Sequence, residues 1–206
     1  MVTHFAGDAL EMRRAGDGAV TLRGTFPYGV AAVLTDGGRS GRPQKEVIEP
    51  RAFAFRVENP MEDIHLLVGH SFDRPLASKL TGALKLVDSA RALTFTAVIS
   101  AAIAATSYGR DALAQIEAGL AVGLSPGFRL PPKRAVADAE SMTEEPDDGA
   151  LDAQGRPQRG AMIRHVKAAL LYELSIVVRP AYPEAGVSMR SMAPARVVRP
   201  AALRWR

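Results

Sequence analysis

The chain has 206 residues, 47% of them hydrophobic and only 6% aromatic, which is enough for one full core built mainly on Ala, Val, Leu and Ile. It has no cysteine, which excludes disulfides, thiol nucleophiles and every Cys-based zinc site and fits a cytosolic life. No apolar run reaches membrane-spanning length and Met1-Val2-Thr3-His4 opens no signal-peptide pattern, so the sequence reads as a soluble protein with no membrane partner.

The net charge of +4 is unevenly spread. Residues 138–152 carry seven acids (Asp138, Glu140, Glu144, Glu145, Asp147, Asp148, Asp152) and no base, whereas residues 186–206 carry five arginines (Arg190, Arg196, Arg199, Arg204, Arg206) and no acid. The excess positive charge therefore belongs to a tail, expected to be disordered, that is either a solvated end or a contact for an acidic partner.

In chain order, residues 1–18 are mixed and expected to be a frayed lead-in to a domain over 19–185. Residues 20–26 alternate as a strand, Pro27-Tyr28 turn the chain, and 29–34 form a second strand. A loop over 36–43 leads to a short strand at 46–49, and Pro50 opens a helix through Glu58 with Phe53 and Val57 on one face. Residues 63–70 are apolar enough for an inner strand, followed by a loop over 71–75. Residues 84–87 and 93–99 flank Asp88-Ser89-Ala90-Arg91 as a hairpin. A helix starts after Ser107, read as its N-cap, with Leu113, Ile116 and Leu120 at helical spacing. Leu120, Val122 and Leu124 alternate with small residues as a short strand whose end delivers Ser125 into a Pro126-Gly127 bend. Residues 131–160 hold Pro, Gly and acids without periodicity and read as a flexible acidic insertion. Residues 161–178 return to strand character, as two strands or one bent strand. Six or more strands with two helices imply a mostly β, α+β fold: an antiparallel barrel or sandwich with helices packed outside.

Three segments carry residues able to do chemistry. Ser125 is a hydroxyl at a strand end, a nucleophile if a base reaches it, although Ser-Pro-Gly on its own is most often only a turn. The base must come from His4, His65, His70 or His165, or from a carboxylate or lysine. His65 and His70 are an odd number apart, so on one regular strand they face opposite ways and make a poor metal pair. His65 sits among apolar neighbours, whereas His70 ends a strand before a polar loop, where functional groups are commonly placed. In the third segment, Glu173, Ser175 and Val177 share one face of a strand and Leu174, Ile176 and Val178 the other. Glu173 can orient a histidine in a Ser-His-acid arrangement; alone, it reads better as a solvated strand face or an ion pair.

Taken together, His70, Ser125 and Glu173 in that order, with the wording around each, resemble the prohead proteases of tailed bacteriophages. The histidine segment is Leu66-Leu67-Val68-Gly69-His70 followed by Pro75-Leu76-Ala77, and the serine segment is Gly123-Leu124-Ser125-Pro126-Gly127-Phe128. The last is Glu173-Leu174-Ser175-Ile176-Val177 with Pro180-Ala181 and Ala185 beyond it, and upstream Gly29-Val30-Ala31 and residues 46–53 resemble the opening of the family. The resemblance covers roughly residues 20–185. It implies a β-barrel ringed by helices, related to herpesvirus assemblin, with His70 as general base, Ser125 as nucleophile and Glu173 as the acidic member. It also implies cleavage of scaffold segments and major capsid protein with no cofactor. Self-cleavage that removes the arginine tail is a separate expectation drawn from the charge of that tail, and no metal site is expected from the residues. The place of action is the host cytoplasm inside an immature procapsid of a phage, prophage or gene-transfer particle. Oligomerisation stays open.

Two departures stand out. Pro126 has no N–H and cannot be the oxyanion donor after the nucleophile, which leaves Gly127, another loop or Arg179. The acidic insertion before Glu173 leaves Asp152 and His165 as rival third members. Two readings from other classes also stand: a catalytically inactive scaffold or capsid-assembly protein of the same fold, and a nucleic-acid binder working through the arginine tail. The second is the weaker, because Trp205 is the only stacking aromatic near those arginines.

Overall fold

The computed structural model describes residues 2–4, 10–38, 41–121, 123–147, 149, 155, 157 and 159–180. The expected tail over 186–206, Val122 and Asp152 lie outside the described residues. Among these residues the strands form three small sheets around one core, and none closes into a barrel. Closure requires the two edge strands of a sheet to pair with each other; here every sheet ends in two separate edges. The mostly β character is as expected, and the closed barrel is corrected to three open sheets.

The first sheet is wholly antiparallel: β1 (Val2–His4), β2 (Leu10–Arg14), β3 (Val20–Pro27), β9 (Ala92–Ile99) and β8 (Leu84–Asp88), in that order. Strict alternation sets its inner face, with Val20, Leu22 and Phe26 of β3 and Leu93, Phe95, Ala97 and Ile99 of β9 buried. Within the expected frayed lead-in, residues 2–4 and 10–14 are strands. Leu10 and Met12 of β2 are buried, and two apolar residues spaced by one are enough to commit that stretch to the sheet. Gly24 of β3 is required by packing, because a Cβ there would stand 2.3 Å from the Phe95 ring and 2.9 Å from Leu124. Leu124 belongs to the second sheet, so this contact seats one sheet on the other.

The second sheet has the order β10 (Gly123–Arg129), β13 (Leu170–Val177), β6 (His65–Val68) and β7 (Ser71–Ser78). Its central strands β13 and β6 run parallel, and the outer pairs run antiparallel. Two sequence expectations are corrected in it. The stretch after His70 is the irregular strand β7, with register shifts that leave residues 72–74 without partners in β6. Ser125 also does not end a strand, because β10 runs on to Arg129 with an irregularity between Gly127 and Phe128. Pro126 is tolerated there because β10 is a sheet edge.

The third sheet has the order β11 (Glu140–Glu144), β12 (Met162–Val166), β5 (Gln44–Ile48) and β4 (Ala31–Thr35), with β12 and β5 parallel. Part of the expected flexible insertion is thus a strand. Its acids meet bases of β12, β5 and the loop before β5: Arg164 joins Glu140 to Glu46 of β5, Lys45 binds Glu145, and Arg42 binds Glu144 and Asp147. Surface pairs of this kind contribute roughly 0–1 kcal/mol each, so the backbone ladder to β12 does most of the holding.

Among the described residues three helices accompany the sheets: α1 (Ala54–Glu58), α2 (Ala101–Ala104) and α3 (Ser107–Glu117). Thr106, not Ser107, caps α3, its Oγ1 accepting the Gly109 N–H at 3.1 Å. α2 is short and capped by Ser100; its Ala-rich sequence carries no periodic signal. At the end of α1, Lys79 directs its ammonium at the carbonyls of Arg56, Asn59 and Glu62 and so caps the helix from outside. Among the described residues no helix is long and apolar enough to cross a membrane.

One buried polar pair affects stability. Tyr28 donates its hydroxyl to Oδ1 of Asp88 at 2.9 Å, while Oδ2 of Asp88 is buried without a partner among the described residues. Burial pushes the Asp88 carboxyl above its ordinary range, although the Tyr28 hydroxyl and Arg51 pull the other way. A carboxyl raised in the folded state is favoured there when protonated, so that stability is present at low pH and is lost as pH rises through the folded pKa. Asp88→Asn keeps the acceptor for Tyr28 without the charge. Its melting temperature is expected to exceed that of the wild type at pH 7–8, with the gap closing as pH falls into the ordinary carboxyl range near 4.

Candidate active site

The second sheet brings the three sequence segments together on its central strand β13. Register pairs Ser125 with Ser175 and Gly127 with Glu173 across the β10–β13 ladder. Cross-strand partners share a face, so Ser125 stands beside Ser175 on the face that also carries Glu173. On the other side of β13, Glu173 pairs with His65 and Ser175 with Leu67.

His70 reaches this face from the turn between β6 and β7. Val68 pairs with Ser71, leaving Gly69 and His70 as a two-residue turn, and both have φ of 61°. Two positive φ values in a row are the pattern of a type I′ hairpin turn. Gly69 takes this conformation freely, whereas at His70 the left-handed region costs about 1–2 kcal/mol. The turn is anchored to β13, with Gly69 N–H donating to the Ile176 carbonyl at 3.0 Å and His70 N–H donating to Ser175 Oγ at 2.8 Å.

From that turn the imidazole folds back over β13. Nδ1 of His70 lies 2.8 Å from Oε1 of Glu173, and Ser175 donates its hydroxyl to Oε2 of the same carboxylate at 2.6 Å. A carboxylate can only accept, so in this contact Nδ1 is the donor, and in the neutral ring that tautomer leaves the lone pair on Nε2. Glu173 is only 4% exposed, whereas the His70 side chain is about half exposed. A buried carboxylate is costly unless both oxygens are satisfied, and here both are. The sequence alternative of a solvated strand face is therefore not what Glu173 occupies.

Gly127 has a clear reason to be glycine. A Cβ there would lie 1.9 Å from Oε1 of Glu173, so the carboxylate occupies the space a side chain would need. Next to it is a cavity of about 260 Å³ lined by Phe72, Phe128, Arg129, Tyr172, Gly127 and Glu173. Three aromatics of this wall adjoin the three segments in sequence: Phe72 follows His70, Phe128 follows Ser125 and Tyr172 precedes Glu173. Tyr172 carries the Arg56 guanidinium on its ring at 4.1 Å.

His65, although the cross-strand partner of Glu173, turns its ring to Asp63 at 3.4 Å and to the edge of Phe72. The Asp63 carboxyl, although burial would raise it, is held below its usual range by the Leu80 N–H and the Ser78 hydroxyl. His165 is in the third sheet, with Nδ1 at 2.7 Å from Glu49 and Nε2 at 2.8 Å from Thr143. Arg179 is exposed just past β13. No group of three or more metal-ligating side chains occurs among the described residues. Sequence reasoning gave Ser175 no role, although its place two residues after Glu173 on the same strand face was the signal for one.

A hydroxyl, an imidazole and a buried carboxylate on one face of one sheet are the groups that serine hydrolases use. The chain belongs to the caudovirus prohead serine proteases, whose family model matches residues 38–197. No curated protein and no solved structure matches the chain. The matched range includes the His70, Ser125 and Glu173 segments.

The Glu173–Gly127 contact gives a direct test. Gly127→Ala is expected to displace the carboxylate and destabilise the fold by about 1–3 kcal/mol, the usual cost of overpacking. Urea unfolding measures the loss.

Proposed function

We propose that the protein is a serine endopeptidase that cuts scaffold segments and the major capsid protein inside a phage-like procapsid. The observation that carries this reading is the His70–Glu173 contact, made on a buried carboxylate one strand away from Ser125. Ser125 Oγ attacks the scissile carbonyl while His70 Nε2 takes its proton, which gives a tetrahedral intermediate. The C–N bond then breaks, the proton passes from Nε2 to the leaving amine, and an acyl-enzyme remains on Ser125. Water enters by the same route in reverse roles and releases the acid. Glu173 stabilises the imidazolium that forms in each step and keeps the ring in the tautomer that leaves Nε2 free.

The developing oxyanion needs a donor. In an antiparallel ladder, pairs that exchange backbone hydrogen bonds alternate with pairs that do not. Pro126, having no N–H, suits a non-exchanging place opposite Leu174, and in that phase of the ladder the Gly127 N–H would point to β13. Arg179 is then the better of the two candidate donors. The aromatic-lined cavity beside Glu173 would take a substrate side chain.

Co-expression with the cognate major capsid protein, followed by intact-mass measurement of both chains, tests the proposal. Processing is expected with the wild type and is expected to vanish in Ser125→Ala and His70→Ala. It should persist in His65→Ala and in His165→Ala. Glu173→Gln is expected to lower turnover by up to about 10⁴-fold with little change in KM. Unchanged processing by Ser125→Ala would refute the assignment of the nucleophile.

A further inference from the structure

We propose that Ser175 is a positioning residue of this site, holding the backbone of His70 and the carboxylate of Glu173 with a single hydroxyl; the inference rests on the proteolytic reading above. Ser175 is completely buried. Its Oγ accepts the His70 N–H at 2.8 Å and gives its one proton to Oε2 of Glu173 at 2.6 Å. The other carboxylate oxygen meets His70 Nδ1 at 2.8 Å. The three contacts close a ring that leaves His70 through its backbone N–H and returns through its side chain. One serine therefore fixes both where the histidine is rooted and what its ring points at.

Folding alone does not call for this arrangement. A buried serine ordinarily satisfies its hydroxyl on nearby backbone, and alanine would fill the same strand position between Leu174 and Ile176. Here the hydroxyl joins a carboxylate two residues away to a backbone N–H 105 positions away. That N–H belongs to a histidine in the left-handed region (φ 61°), a conformation that persists only where its surroundings impose it. The carboxylate is 4% exposed, and its second oxygen would otherwise be buried without a donor. Ser175 is also the cross-strand partner of Ser125, so the hydroxyl that anchors His70 stands next to the proposed nucleophile.

Losing the hydroxyl frees the turn to relax and lets the carboxylate rotate. A shift of about 1 Å in a catalytic group costs on the order of 100-fold in rate. Ser175→Ala is therefore expected to lower kcat for capsid-protein cleavage by about 100-fold with KM unchanged within about twofold, and Ser175→Cys, a weaker donor of similar shape, is expected to fall between. The second readout needs no activity. In full-length Ser125→Ala protein with ¹⁵N-labelled histidine, the His70 Nδ1 proton is expected as a protected downfield resonance, assigned by its loss in His70→Asn. It is expected to vanish in Ser125→Ala/Ser175→Ala.

Wild-type kcat in Ser175→Ala, or a resonance unchanged by the second substitution, overturns the proposal. Should Ser175→Ala lose its folded circular-dichroism spectrum, Ser175→Cys carries both measurements with the same criteria. Full activity in Ser125→Ala would instead overturn the proteolytic reading, while the resonance still reports on Ser175.

Discussion

The site depends on one buried carboxylate. Glu173 lies within the central strand of its sheet, where an unpaired charge would be costly, and it is tolerated because each oxygen has a donor. That requirement propagates outward. It needs a side chain-free residue opposite, which is Gly127, and a hydroxyl two positions along, which is Ser175. It also needs an imidazole brought in from another segment, and the strained Gly69-His70 turn supplies it. The polar satisfaction of one side chain thus accounts for three residues that look unrelated along the chain.

The mixed topology of the second sheet makes this convergence possible. β13 pairs antiparallel with β10 and parallel with β6, so the start of the turn after β6 and the middle of β10 arrive at the same level of β13. The parallel step requires a long crossover, and the chain uses it to build β7, the β8–β9 hairpin, α2, α3, β10, β11 and β12 before returning as β13. The core beneath is assembled from Ile64, Leu66, Leu124, Leu174 and Ile176, all essentially buried, which makes the floor under the polar face rigid.

Much of this was legible in the sequence, for identifiable reasons. The β8–β9 hairpin, β3 and the two faces of β13 follow from alternation, and Phe53 and Val57 marked the buried side of the α1 region. The order His70, Ser125, Glu173 was legible only as wording shared with a family. Elements fixed by long-range pairing were not visible. β11 is acidic and aperiodic, and it is a strand because β12 offers it a ladder. β7 is too irregular to alternate, and β2 has only Leu10 and Met12 to announce it. Ser125 was expected at a strand end because Pro-Gly is read as a turn; on a sheet edge the same dipeptide is accommodated within the strand. Ser175 was placed on the right face, but its role depends on a turn 105 positions away.

The central claim is that Ser125 is a nucleophile activated by His70. The most direct measurement is covalent labelling of the purified full-length chain with a serine-directed fluorophosphonate, followed by peptide mapping. The account predicts one adduct, on Ser125, formed in the wild type and lost in His70→Ala. An adduct on another serine, or equal labelling of Ser125 without His70, would contradict it.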